Sequence, residues 1–75
     1  SNVNFKLSGG NVGIGTTNPD GGLHIHTATA GSITANANHD ELVLENSGNA
    51  GMSILAGTSA TCIISFGDSG DNDNG

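Results

Sequence analysis

The chain predicts an all-β fold, and three observations carry that expectation. Apolar and polar residues alternate over short runs, the two-residue period of a strand with one covered face. These runs recur almost evenly, their first apolar residues falling at positions 12, 23, 33, 42, 52 and 62. No window carries the stripe of an amphipathic helix over the roughly dozen residues a helix needs. A spacing of nine to eleven residues is one strand plus one turn, which suits a meander, a sandwich or a stacked β-prism.

Taken in order, VNFKLS opens the chain with Val3, Phe5 and Leu7 on one face and Asn4, Lys6 and Ser8 on the other. Gly9-Gly10 is the exit turn, and Val12 with Ile14 begins the next strand. Gly15 interrupts that alternation, and NPDG follows at 18–21. Pro19 presets φ for a turn, Asp20 suits the next position, Gly21 suits the exit, and Asn18 can bond back to the chain. Leu23 and Ile25 then resume the alternation, so residues 11–26 predict two strands around a proline turn. Ile33 and Ala35 form the next run after Gly31. Helix and strand compete in TANANHDELVL, where the asparagines and the β-branched Val43 favour strand or turn, with Leu42 and Leu44 on the apolar face. Met52 with Ile54, then Cys62, Ile64 and Phe66, complete the set.

Composition restricts what such strands can build. The 75 residues include thirteen glycines and two phenylalanines, no tyrosine or tryptophan, and only 33% are hydrophobic. Glycine loses more backbone freedom on ordering than any other residue, so a compact monomeric core is poorly supported. Burial by a partner chain, or membership of something longer, is the expectation. The net charge of −6 combines one lysine and no arginine with seven acids, which argues against nucleic-acid binding and attachment to anionic membranes. No run approaches the length of a spanning helix and no signal-peptide pattern is evident, so membrane insertion is not expected. Cys62 is the only cysteine, which rules out an internal disulfide, and within TCIIS it reads as a small buried hydrophobe.

Candidate chemistry is sparse. Gly13-Ile14-Gly15 supplies G-x-G, but Asn18 stands where the dinucleotide fingerprint needs its third glycine, and Pro19 follows. His24 and His26 lie two apart and share a face if they are on a strand. Three copies around an axis would present six nitrogens, enough for iron or another divalent metal. Leu23 and Ile25 compete for the inner face, however, which favours solvent-facing histidines and no cofactor. His39 sits in a polar stretch and reads as a loop residue. Asp71, Asp73 and Gly75 begin a calcium-loop spacing, but the glycine comes one position early and no twelfth-position glutamate follows. Serine and threonine are plentiful without a nucleophile-elbow motif. Glu41 and Glu45, four apart, would be about 13 Å apart along a strand, too far for a glycosidase pair. No catalytic residue is predicted.

GNVGIGTTNPDGGLHI, residues 10–25, resembles the G-N-V-G-I-G-T-T-x-P-x-x-x-L-H-V segment of bacteriophage tail fibres and tailspikes, often found upstream of their C-terminal intramolecular chaperone domains. Gly10 to Thr17, Pro19, Leu23 and His24 match it, with Ile25 in place of valine. ISFGDSGDNDNG, residues 64–75, resembles the strand and loop that precede a G-x-I-x-Y strand in such proteins. The resemblance implies an elongated, intertwined homotrimer of short strands, a triple β-helix or β-prism-like shaft, within a virion's host-attachment apparatus. On this basis residues 1–75 form a β-structured shaft or connector fragment truncated in its C-terminal hairpin loop. Its implied partners are two further copies, adjoining fibre domains and, through other domains, a host surface glycan. The serine–lysine dyad of self-cleaving relatives is not matched, and His26 resembles the histidine-x-histidine iron sites of some fibres only in a different sequence setting. A carbohydrate-binding β module and a non-catalytic fragment of a glycan-degrading tailspike are the alternatives; the first lacks aromatic platforms for sugars.

Overall fold

A computed structural model describes residues 5–70; Val3, Asn4 and the calcium-loop spacing of Asp71, Asp73 and Gly75 lie outside the described residues. Four short strands form one sheet in the order β1 (Phe5–Ser8), β2 (Asn11–Ile14), β3 (Leu23–His26) and β4 (Leu42–Glu45). A single 3-10 turn at Ala37–His39 is the only helical element among the described residues, so the all-β expectation holds.

β1 and β2 make the expected hairpin, with Leu7 opposite Val12 and Ser8 opposite Asn11. Gly9 and Gly10 take φ of 59° and 86°, the left-handed geometry a two-residue turn needs to match the twist of its strands. Beyond the hairpin the chain departs from a meander. β3 runs parallel to β2, and β4 runs parallel to β3. Residues 15–22 and 27–41 are therefore return loops that carry the chain back to the same end of the sheet. NPDG bends within the first loop and does not close a hairpin. A parallel pair usually needs a connection of about a dozen residues or more. The eight-residue loop succeeds because it travels close to the sheet: a Cβ at Gly21 would collide with the Asp40 carbonyl, whose oxygen accepts from Gly22 N–H at 3.0 Å.

The ambiguous TANANHDELVL divides between both options. Asn36 caps the 3-10 turn by accepting from Asn38 N–H at 2.8 Å, and the chain then extends into β4. Ile33 and Ala35 form no strand; they lie in the second return loop. Neither Met52–Ile54 nor Cys62–Phe66 joins the sheet. Residues 51–57 and 61–67 carry no strand pairing, with a turn between them closed by Ala60 N–H to the Gly57 carbonyl at 3.0 Å. Cys62 is exposed, so the expectation of a buried thiol fails; its Sγ donates to the Ile54 carbonyl at 3.2 Å from the surface of the segment.

No hydrophobic residue among those described is buried. The chain exposes 5880 Å² and has a radius of gyration of 15.0 Å. A compact monomer of the same 7.3 kDa would expose roughly 4,200 Å² with a radius near 11 Å.

Candidate functional site

Parallel register sorts the sheet into two chemically distinct faces. Val12, Leu23 and Leu42 align in one row, and Ile14, Ile25 and Leu44 in the next. Leu7 extends the first row across the hairpin. Side chains alternate along a strand, so these rows make one continuous aliphatic face. It is open: Leu7 is 71%, Leu42 47% and Ile25 38% exposed, and Val12, Ile14, Leu23 and Leu44 are half-buried.

The other face carries Gly13, His24 and Val43 in register, followed by His26 opposite Glu45. Both return loops lie over it. Thr16 and Pro19 sit above Gly13, and Gly21 packs against Val43 and Asp40. His24, at 3% exposure, is the one buried polar residue described, so the expected solvent-facing histidine is overturned. Its Nδ1 accepts from Asp20 N–H at 2.9 Å, and a backbone amide can only donate. The ring proton therefore sits on Nε2 and is donated to Glu45 Oε1 at 2.7 Å.

The two carboxylates continue this network into the second loop. Glu45 Oε2 accepts from Ala30 N–H at 2.8 Å and from the Thr29 hydroxyl at 3.4 Å. Asp20 Oδ2 accepts from Ala35 N–H at 2.6 Å. The bond from Ala30 N–H is the largest influence holding the Glu45 carboxyl below its usual value; desolvation opposes it, and the bond from His24 assists. Asp20 and Glu45 thus tie the loops to the polar face of the sheet.

Backbone chemistry accounts for which face the loops cover. Glycine- and asparagine-rich loops present amide groups that need acceptors. A face bearing histidine and carboxylate can supply them, whereas a face of leucine, isoleucine and valine cannot. The loops therefore settle on the histidine side and leave the aliphatic side bare. Expecting the more apolar residues to turn inward omitted this requirement. Its signals were Gly21-Gly22, which lets the loop approach, and the glutamate ending LVLE.

His26 shares the face, as its spacing from His24 predicted, with the ring centroids 5.5 Å apart and nearly perpendicular. Its Nδ1 is buried with no hydrogen-bond partner. A metal bound to His24 would have to displace either the Asp20 amide or Glu45, because both ring nitrogens are engaged. Among the described residues no three histidine, cysteine or acidic side chains converge on a common point. His39 is exposed at the end of the 3-10 turn, as expected of a loop residue, and Glu41 lies exposed before β4. A cleft of about 180 Å³ lies between the second loop and β4, lined in part by Ile33, Ala35 and Val43. The carboxylates of Asp20 and Glu45 also line it, and both are occupied with loop amides. The feature with unspent capacity is the aliphatic face. No protein family, curated protein or solved structure matches the chain.

Proposed function

We propose that this chain is a structural part of a bacteriophage tail fibre or tailspike, a segment of a homotrimeric β-structured shaft that supports host attachment in the virion. The observation carrying this reading is the aliphatic face from Leu7 to Leu44, left open in a chain with no buried hydrophobic residue among those described. The size of the deficit fits the same arrangement. The exposed 5880 Å² exceeds the roughly 4,200 Å² of a compact chain by about 1,700 Å². A subunit of a cyclic trimer has two interfaces, each covering roughly 800 Å² of its surface in a standard case. The resemblance of residues 10–25 to fibre and tailspike segments supplies the biological setting.

In this arrangement the aliphatic rows face the shared core, and His24 and His26 lie on the opposite side of the sheet beneath their own loops. A shaft transmits position and load, which requires no catalytic group or cofactor. Contact with a host surface glycan would belong to other domains of the fibre, which adjoin this segment. Sedimentation equilibrium at micromolar concentration tests the proposal. The expected mass is three times 7.3 kDa, and a species of single-chain mass that persists as concentration rises would overturn it.

A further inference from the structure

Residues 51–67 of one copy, we infer, seat on the aliphatic sheet face of a neighbouring copy, so that each chain donates one segment and accepts one. This rests on the self-assembly proposed above and identifies its contact surfaces. The donor is as bare as the acceptor. Met52 is 60%, Leu55 89%, Ile63 66%, Ile64 62% and Phe66 66% exposed, and residues 51–57 and 61–67 lack strand pairing. Its described bonds are internal, from Ala60 N–H to the Gly57 carbonyl at 3.0 Å and from Cys62 Sγ to the Ile54 carbonyl at 3.2 Å, so its strand edges and exposed hydrophobic side chains both lack cover.

Charge favours this pairing over other contacts between copies. The chain carries a net −6, yet residues 46–67 contain no acidic or basic side chain. The face from Leu7 to Leu44 is likewise uncharged. Joining these two surfaces brings no like charges together, whereas contact through the loop side would approach Asp20, Asp40, Glu41 and Glu45. Reach is adequate: seven extended residues span about 23 Å, and crossing three strand spacings takes about 14 Å.

Sequence phase within the donor favours more than one neighbour. Ile54-Leu55 and Cys62-Ile63-Ile64 are consecutive apolar residues, so an extended segment presents hydrophobic side chains on both faces. Strands with that pattern are covered on two sides. One side meets the acceptor sheet, and the other meets apolar surface from the remaining copy. Because donor and acceptor are different patches, the contact is heterologous, and three copies can close it into a ring. The start of the path is fixed by Asn46, whose side chain donates to the Asn49 carbonyl at 3.0 Å and accepts from Ser47 N–H at 2.8 Å. The chain then leaves beside Ile25 and Leu44, where Ala50 and Gly51 line a groove with them.

The unmodified chain permits a direct test because Met52 is its only methionine. Chains carrying ¹³C-methyl methionine are denatured, mixed with chains carrying ¹³C-methyl leucine and isoleucine, and refolded together. Methyl contacts between Met52 and Leu23, Ile25, Leu42 or Leu44 can then arise only between copies, and their appearance is expected. If those contacts appear only in singly folded, doubly labelled chains, or if Met52 contacts only the 51–67 segments of other copies, the inference falls. The trimer mass would survive either result, whereas a single-chain mass would remove the underlying assembly. As a second measurement, Leu55→Ala should weaken association about 10- to 100-fold, the loss expected from one buried leucine. Unchanged association would count against the seat.

Discussion

Residues 11–45 and residues 51–67 carry similar densities of aliphatic side chains, yet they end in opposite conditions. The first region pairs its strands and ties its loops down through His24, Asp20 and Glu45. The second has no strand pairing and exposes nearly every large side chain. The difference lies in the polar groups available to return loops. Where a strand offers histidine and carboxylate on one face, the chain's own amides can cover it. Where both faces are apolar, the described residues of the chain leave them open.

The contrast is broken most completely by placing charge on the aliphatic face. Leu23 sits centrally in its row between Val12 and Leu42. Leu23→Asp should abolish assembly, since an unpaired buried carboxylate costs several kcal/mol. Light scattering should then show single-chain mass; an unchanged trimer would mean that this face is not the core. Gly21→Ala addresses the first region alone. The added Cβ meets the backbone carbonyl of Asp40, which cannot withdraw without loosening the bond from Gly22 N–H. The expected loss is about 3 kcal/mol, the upper range for overpacking, measured by chemical denaturation at fixed chain concentration. Gly48→Ala is the matched control, because nothing lies within 4 Å of its Cβ position, and it should change stability little.

His24→Leu removes a donor and an acceptor together. It leaves Asp20 N–H without its acceptor beneath the first loop, at a cost of about 2 kcal/mol, and removes the donor to Glu45 Oε1. A solvent-facing histidine would tolerate the same change, so a denaturation midpoint within error of the parent chain would restore the original facing assignment.

The strands at 5–8, 11–14, 23–26 and 42–45 were legible because alternation and glycine turns are local signals. Strand direction was not legible. NPDG alone reads as a turn between two strands, but it bends a loop whose destination depends on contacts between Gly21 and Asp40, nineteen positions apart in sequence. The His24–Glu45 bond was hidden for the same reason: it joins two strands whose parallel register no local pattern states. Alternation at Met52–Ile54 and Cys62–Phe66 was real, but a pattern of faces says nothing about which chain covers them. The outcome there is strand-like sequence without a strand partner.

The smallest expected effect is also the most local. Glu45 accepts from Ala30 N–H and from His24, and these bonds favour its ionised form. Its folded-state carboxyl therefore titrates below the ordinary value of 4.5. The unfolded chain takes up the proton first as pH falls, so the stabilisation is full above about pH 4.5 and fades as acidity passes the folded-state value. Glu45→Gln should flatten this part of the acid denaturation profile, with a smaller change in midpoint than His24→Leu. The loss should also be regional. Acid weakens the anchor of Thr29 and Ala30, while residues 51–67 contain no carboxylate to titrate. Hydrogen exchange read by residue between pH 5 and 3, the opening rates corrected for intrinsic exchange, should therefore show Ala30 opening in the parent chain and a pH-independent response in Glu45→Gln. Opening that begins in residues 51–67 at the same pH would reverse the assignment, because it would place the acid-sensitive contact between copies instead of within the loop clamp.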